Sequence, residues 1–165
     1  MQMCDAAIPY QHLRVIAHLT ISIKRSRGFR DASFERGFRM PVRSVLVVDD
    51  NPLVRQAVCE LFTREGDFDV CGEAENGREA IEKAQLLRPN LIVTDLSMPV
   101  MNGLEETRVI KKLMPAVPVI IFTAHSDPFV EKEARAAGVS AVVSKSEAVS
   151  VLITKARGLL DQIAA

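Results

Sequence analysis

The chain has 165 residues, 48% of them apolar and 25% charged, which is typical of one globular domain with some additional sequence. This composition excludes a fibrous or wholly disordered protein, and no apolar run reaches the roughly 20 residues that span a bilayer, so we expect no membrane partner. The formal net charge is zero, but residues 1–43 carry +5 and residues 44–165 carry −5. We therefore predict a basic N-terminal extension over residues 1–43, disordered or loosely helical, followed by an acidic domain over residues 44–165.

The cysteine pattern indicates a reducing compartment. The chain has three cysteines, Cys4, Cys59 and Cys71, an odd number whose spacing matches no metal-ligand motif. Small buried thiols of this kind are typical of cytosolic proteins. We therefore expect a cytoplasmic protein.

From Ser44 onward, five short apolar runs predict five strands. They are residues 45–48, 68–73, 91–94, 117–122 and 141–143. Most are β-branched and apolar throughout, which is typical of parallel strands covered on both faces. Because parallel neighbours need crossover connections, the pattern predicts an α/β fold, a doubly wound parallel five-stranded sheet with helices on both faces.

The segments between and after these runs have helical periodicity. Their apolar residues recur at spacings of three and four, and they form five stripes: Leu53, Val54, Ala57, Val58, Leu61 and Phe62; Ala80, Ala84 and Leu87; Leu104, Thr107 and Ile110; Val130, Ala134 and Ala137; Val149, Leu152, Ala156, Leu159 and Ile163. Asn51 and Pro52 predict a helix start, Asn76-Gly77 a turn, and Gly138 a helix end.

Polar residues follow four of the predicted strands: Asp49 and Asp50 the first, Asp95 the third, Thr123 the fourth and Lys145 the fifth. Open parallel sheets bind ligands beyond the carboxyl ends of their strands. If the first, third and fourth strands are neighbours, three carboxylates share one crevice and repel one another unless a cation is present. An all-oxygen site with open positions favours Mg²⁺, and a hydroxyl and an ammonium beside it predict phosphoryl transfer to a carboxylate.

Each of these residues alone has a simpler interpretation. The Asp49-Asp50 pair resembles a helix cap, Asp95 a turn residue and Lys145 a solvated charge. Their coincidence at the carboxyl ends of predicted strands favours the functional interpretation.

Residues 44–165 resemble the receiver domain of two-component response regulators. The resemblance rests on four motifs in this order and spacing: residues 47–52, residues 94–99 with Asn102-Gly103, residues 122–124, and Lys145. Residues 50–55 and 72–77 make the chain most similar to receivers that precede a LuxR-type helix-turn-helix. The resemblance implies a (βα)5, flavodoxin-like fold with strand order 2-1-3-4-5.

The resemblance also implies a role for each site residue. Asp95 would take a phosphoryl group from a histidine kinase, a histidine phosphotransfer protein or a small phosphodonor. Mg²⁺ would be held by Asp49, Asp50, Asp95 and the backbone carbonyl of Ser97. The phosphate-binding and switch positions would be Thr123, Ala124 and Lys145.

Two positions depart from the family pattern. Family members often carry Tyr or Phe three residues before the lysine, where this chain has Val142, and a proline or an acidic turn often follows the lysine, where this chain has Ser146. The chemistry is unaffected, but the coupling of phosphate to the face of the fourth helix, fifth strand and fifth helix is expected to be weak.

The chain ends twenty residues after Lys145, so from the sequence alone we expect a stand-alone receiver without an output domain. It would act by phosphorylation-dependent binding to a downstream protein and not as an enzyme, beyond its own phosphorylation and dephosphorylation. One alternative is DNA binding through the basic residues 1–43, since the acidic domain has no electrostatic footprint for DNA. Another is a hydrolase using the same acids. The extension itself is either part of the protein or translated upstream sequence before Met40.

Overall fold

The computed structural model describes residues 42–164 of the chain. Of the predicted extension only Val42 and Arg43 fall within this range, and the rest of that prediction lies outside the described residues. Five strands alternate with five helices: β1 (Arg43–Val48), α1 (Pro52–Arg64), β2 (Phe68–Ala74), α2 (Gly77–Leu87), β3 (Leu91–Thr94), α3 (Gly103–Leu113), β4 (Val119–Thr123), α4 (Pro128–Ala137), β5 (Ala141–Ser144) and α5 (Val149–Ala164).

The strands form one parallel sheet in the order β2-β1-β3-β4-β5, which confirms the predicted fold class and strand order. Strands β1, β3 and β4 are therefore neighbours, as the predicted crevice requires. The register pairs Val48 with Thr94 and Thr94 with Ile121. The carboxyl ends of these strands consequently lie side by side at one edge of the sheet.

Both faces of the sheet are covered, which explains why the strands read as unbroken apolar runs. Along β1, Val45 and Val47 pack in a core with residues of α1 and α5, and Leu46 and Val48 pack in a second core with residues of α2 and α3. Because successive strand residues point to opposite faces, the central strands are apolar at most positions, whereas the edge strand β2 also carries the exposed Asp69 and Glu73.

Strand β4 begins two residues later than the predicted run of residues 117–122. Pro118 has no N–H to donate to the ladder, and regular pairing starts at Val119.

Residue 76 also differs from its prediction. Asn76 caps α2 instead of forming a separate turn, and its side chain accepts a hydrogen bond from the Glu79 N–H at 3.0 Å. The predicted helix start at Asn51 and Pro52 and the helix end at Gly138 are confirmed.

Helix α1 buries only part of its apolar stripe. Val58 and Phe62 are buried, whereas Ala57 is exposed and Leu53 is 76% exposed. The stripe in the sequence combines two adjacent rows of residues, and only one row faces the sheet. Leu53 is therefore left at the surface near the start of the helix.

Among residues 42–164, no helix has the length and apolar character needed to cross a membrane.

Candidate functional site

The predicted site residues lie at the edge of the sheet where the strands end. Asp49 follows β1, Asp95 follows β3, Thr123 ends β4 and Lys145 follows β5. Backbone hydrogen bonds extend beyond the strands, from Asp95 N to the Val48 carbonyl at 2.9 Å and from Lys145 N to the Thr123 carbonyl at 2.7 Å. The sheet therefore holds the backbone of this edge in place.

Lys145 lies between two buried carboxylates. Its Nζ is 2.8 Å from Asp49 Oδ2 and 3.0 Å from Asp95 Oδ1, and the side chains of these aspartates are only 4% and 9% exposed. Partial burial by itself would lower the pKa of Lys145, but the hydrogen bonds and charges of Asp49 and Asp95 outweigh burial and raise it. The ammonium is therefore a fixed positive charge that offsets the repulsion between the two carboxylates.

The Asp95 carboxylate is only partly satisfied. Its Oδ2 accepts a hydrogen bond from the Ser97 N–H at 3.3 Å. Its Oδ1 is buried and has no aligned hydrogen-bond donor, although Lys145 Nζ is in ion-pair contact with it. Burial of this carboxylate oxygen without an aligned donor is unfavourable, and the nearby Lys145 ammonium compensates its charge.

The loop between β1 and α1 is fixed by Asp49 and Arg55. Asp49 Oδ1 accepts from the Asn51 N–H at 2.9 Å, and the Arg55 guanidinium donates to the Asp49 carbonyl at 2.6 Å. Arg55 also pairs with Glu73 at 3.2 Å. Sequence reasoning missed Arg55, although an arginine in the first turn of a helix opposes the helix dipole and so points to a specific contact.

A glycine allows α3 to begin against the phosphoacceptor candidate. A Cβ atom at Gly103 would lie 2.2 Å from the Asp95 carbonyl oxygen, far inside van der Waals contact. Only a residue without a side chain fits this approach. The sequence motif contained Gly103, but its physical reason is visible only in the structure.

The remaining predicted residues lie around this centre. Thr123 is buried and its Oγ1 accepts from the His125 N–H at 3.2 Å, whereas Ala124 and Ser97 are exposed. Asp50 is exposed, and its side chain forms no hydrogen bond or ion pair within residues 42–164. The structure therefore brings together Asp49, Asp95 and Lys145, and leaves the Asp50 side chain outside this cluster.

Val142 lies away from the cluster. It is half-buried and lines a cleft of about 220 Å³ between α4, β5 and α5, with Glu131, Arg135 and Lys155 among the other lining residues. The position at which related receivers often carry an aromatic ring is thus beside open space in this chain.

The carboxylates of the site suit Mg²⁺ only in combination with ligands from outside the protein. No three Asp, Glu, His or Cys side chains cluster tightly enough within residues 42–164 to hold a metal by themselves. Mg²⁺ requires fewer protein ligands, because it keeps several waters and shares phosphate oxygens with its substrate. Asp49 and Asp95 supply two carboxylates that share the Lys145 ammonium, and Asp95 Oδ1 is a buried oxygen without an aligned hydrogen-bond donor. These residues fit a magnesium ion, whereas the contributions of Asp50 and of the Ser97 carbonyl stay predictions.

Comparisons with known proteins identify the same domain. The family model described as "Response regulator receiver domain" matches residues 45–157. The response regulator protein VraR of Staphylococcus saprophyticus is 37% identical over 111 residues, which cover 67% of this chain and 53% of that protein. A protein-glutamate methylesterase/protein-glutamine glutaminase of Pyrococcus abyssi is 38% identical over 121 residues, covering 73% of this chain and 33% of that protein.

A solved structure is similar in fold as well as sequence. The crystal structure of a two-component response regulator of the LuxR family from an Aurantimonas species aligns with a TM-score of 0.71 and 30% identity, covering 73% of this chain and 86% of that chain. This chain spans about half of the VraR relative and about a third of the methylesterase relative. The activities in the names of those relatives therefore describe those longer proteins only.

Proposed function

Because this chain belongs to the response regulator receiver family of two-component systems, we propose that it accepts a phosphoryl group on Asp95 in a Mg²⁺-dependent reaction. The observation that carries the proposal is the Asp95 carboxylate itself. Its Oδ1 is buried, has no aligned hydrogen-bond donor, and is in ion-pair contact with the Lys145 ammonium at 3.0 Å. A carboxylate oxygen so placed is available as a nucleophile.

In the proposed reaction, an Asp95 oxygen attacks the phosphorus of a phosphohistidine or an acyl phosphate. The new P–O bond forms as the bond to the donor nitrogen or oxygen breaks, and the leaving group takes up a proton where its basicity requires one. Lys145 turns from the two carboxylates to the phosphoryl oxygens, and the Thr123 hydroxyl donates to one of them. Bound Mg²⁺ would neutralise charge on the phosphoryl oxygens, with Asp49, Asp50, Asp95 and the Ser97 carbonyl as its ligands.

The surface next to Lys145 supports a protein as phosphodonor. An apolar groove of about 340 Å³ is lined by Leu53, Val54, Ala57, Val58, Phe122, Lys145 and Val149. Two of these apolar side chains, Leu53 and Val149, are 76% and 52% exposed. Exposed apolar surface beside a reactive site favours transient docking of a partner. We infer that a histidine kinase or histidine phosphotransfer protein docks there and brings its phosphohistidine to Asp95.

We infer that the output is phosphorylation-dependent binding to a downstream protein. Phosphorylation replaces the single negative charge of the Asp95 carboxylate with about two on the acyl phosphate, at a site where Lys145 already contacts two carboxylates. Movement of the Lys145 ammonium and of the Thr123 hydroxyl toward the phosphoryl group changes the conformation of the loops that follow β4 and β5. Because Val142 has no ring to move, we expect the response to depend mainly on these loops and on the phosphorylated site.

The phosphoacceptor assignment has a direct test. Incubation with acetyl phosphate and Mg²⁺, followed by mass spectrometry of the peptides, should locate the adduct on Asp95. Asp95→Asn should abolish labelling, because an amide is not a competent nucleophile here, and EDTA should also abolish it. Asp69, an exposed aspartate on β2, provides the matched control, since Asp69→Asn should label normally. Label retained in Asp95→Asn or in EDTA would contradict the assignment.

A further inference from the structure

Glu106 is a buried carboxyl that the phosphoacceptor reaction described above does not use. It lies on α3 and is fully buried, with Oε2 2.7 Å from the Oγ1 of Thr94, the last residue of β3. Its other oxygen, Oε1, is buried without a hydrogen-bond partner. Helix α2 encloses it from another side, because a Cβ atom at Gly77 would lie 3.0 Å from the Glu106 Cβ.

A negative charge on Glu106 would have no compensation. Helices α2 and α4 pack against α3. Within residues 42–164, none of the charged side chains on these two helices forms an ion pair or hydrogen bond with Glu106. They are Arg78, Glu79, Glu82 and Lys83 on α2, and Glu131, Lys132, Glu133 and Arg135 on α4. Burial of an unpaired carboxylate is strongly unfavourable, so the neutral acid is the stable form. In agreement, burial raises the pKa of Glu106 to about 8, against a smaller opposing effect of the Thr94 hydrogen bond.

Thr94 connects Glu106 to the backbone of Asp95. The Thr94 Oγ1 lies 2.7 Å from Glu106 Oε2 and 3.2 Å from the Asp95 carbonyl oxygen. A hydroxyl has a single proton and cannot donate fully to both oxygens. When Glu106 is neutral, its O–H donates to Thr94, and the Thr94 O–H donates to the Asp95 carbonyl. When Glu106 is ionised, Thr94 donates to Glu106 and the Asp95 carbonyl loses this donor.

We propose that the neutral carboxyl of Glu106 is a positioning residue for the phosphoacceptor and acts through the Thr94 hydroxyl on the Asp95 carbonyl. Gly103 approaches the same carbonyl from the start of α3, so the Asp95 peptide is held between two contacts. Fixing this peptide fixes the direction of the Asp95 side chain relative to Lys145. The inference rests on the proposed role of Asp95 as phosphoacceptor.

Two matched pairs of variants test the hydrogen-bonded chain. Glu106→Met and Thr94→Val each remove one hydrogen-bonding group from the Glu106–Thr94–Asp95 chain, while the new side chain has a similar volume. Glu106→Gln retains an N–H donor, and Thr94→Ser retains the hydroxyl. In the unphosphorylated protein, the NMR shifts of the Asp95 carbonyl carbon and of the Leu96 amide nitrogen should move in Glu106→Met and Thr94→Val. Both shifts should stay near their wild-type values in Glu106→Gln and Thr94→Ser.

The phosphorylation rate is the second measurement. With acetyl phosphate and saturating Mg²⁺, Glu106→Met and Thr94→Val should be phosphorylated about fivefold more slowly than the wild-type protein, which corresponds to loss of one positioning hydrogen bond. Glu106→Gln and Thr94→Ser should be phosphorylated at a rate within about twofold of wild type. An equal loss in Glu106→Gln and Glu106→Met would overturn the proposal, because it would mean that packing alone matters.

Unchanged Asp95 and Leu96 shifts in Glu106→Met and Thr94→Val would also overturn the proposal. If Glu106→Met fails to fold, the Thr94 pair decides, since Val replaces only the threonine hydroxyl by a methyl group and Ser removes only the threonine methyl group. If wild-type protein is not phosphorylated at all, the proposed function fails, while the carbonyl shifts still report whether Glu106 acts on the Asp95 peptide.

Discussion

A single ammonium holds the two central carboxylates of the site together. Lys145 contacts Asp49 and Asp95 at 2.8 and 3.0 Å, while the helix α1 residue Arg55 donates a hydrogen bond to the Asp49 carbonyl. Strand-end reasoning predicted Asp49, Asp95, Thr123 and Lys145, because these residues are polar and directly follow or end apolar runs. The same reasoning has no access to contacts made by residues further along a helix, such as Arg55.

Glu106 gives the site a pH-dependent contribution to stability. The folded protein holds a proton on this carboxyl up to a pKa of about 8, whereas the unfolded chain releases it near the ordinary value of 4.5. Between these two values the folded state binds more protons than the unfolded state, so this contribution to the free energy of unfolding falls as the pH rises. The loss begins above about pH 4.5 and is complete above about pH 8.

We therefore expect Glu106→Gln to stabilise the protein at pH 7.5, on the order of 2 kcal/mol, and to flatten the pH dependence between pH 5 and 8. Urea denaturation across this pH range measures both effects. Glu105→Gln, the exposed neighbour on the same helix, serves as the control and should leave the slope unchanged. A slope that is the same in wild-type protein and Glu106→Gln would show that Glu106 is ionised in the folded state.

The sequence contained one indication of this buried acid. Glu106 lies four residues before Ile110 and one before Thr107, in the buried stripe of α3. A charged residue in an apolar stripe predicts either a surface edge or a special site, and the sequence alone does not decide between them.

The sequence contained no indication of the unusual backbone conformation of Val100. This residue lies in the loop between β3 and α3, and its φ of +69° is unfavourable for a β-branched side chain.

At the scale of elements, the sequence predicts each strand and helix found in residues 42–164 but not every boundary. Backbone chemistry moves the start of β4 from residue 117 to Val119, because Pro118 has no donor. The packing of α1 divides its apolar residues into a buried row and an exposed row containing Leu53. Such details depend on how a helix rotates against the sheet, which periodicity does not specify when two adjacent rows are both apolar.

The cleft between α4, β5 and α5 leads to a prediction about the switch. Val142 has one stiff side-chain torsion and lines about 220 Å³ of open space, so it has no ring to exchange between two positions. We expect beryllofluoride and Mg²⁺ to produce NMR shift changes near Asp95 and only small changes over residues 128–155. A smaller difference in contacts between two states gives a smaller population shift from the same ligand.

Val142→Tyr provides the comparison for this experiment. A tyrosine at this position enters the cleft and restores a group able to move, so the shift changes over residues 128–155 should become larger. Shift changes around Asp95 in both proteins establish that beryllofluoride has bound in each. Large changes over residues 128–155 in the wild-type protein, equal to those in Val142→Tyr, would show that the face responds without a ring.

At the scale of the whole molecule, alternating strands and helices predict a doubly wound parallel sheet, but alternation does not determine the strand order. The order 2-1-3-4-5 followed from the resemblance of the motifs to a receiver, and the observed sheet has this order. That order makes β1 the neighbour of β3, which places Asp49 beside Asp95. The site is consequently a property of the topology, since its residues are 46 to 96 positions apart in the chain.

Deletion of residues 1–40 tests the proposed domain boundary, because the five alternating strand–helix units of the described residues run from Arg43 to Ala164. We expect the shortened protein to keep its Tm within about 2 °C and to be phosphorylated at the wild-type rate, since residues 43–164 by themselves supply five strands, five helices, two apolar cores and the Asp49–Lys145–Asp95 cluster. Gel shifts with random duplex DNA at low salt, performed on both proteins, test the alternative that the basic extension binds DNA. Salt-sensitive binding by the full chain that disappears on deletion would support a DNA-associated role, because the net charge of +5 in residues 1–43 is the electrostatic source of such binding. A much lower Tm or insolubility of the shortened protein would instead show that the domain depends on residues before Arg43, and the boundary proposed from charge would be wrong.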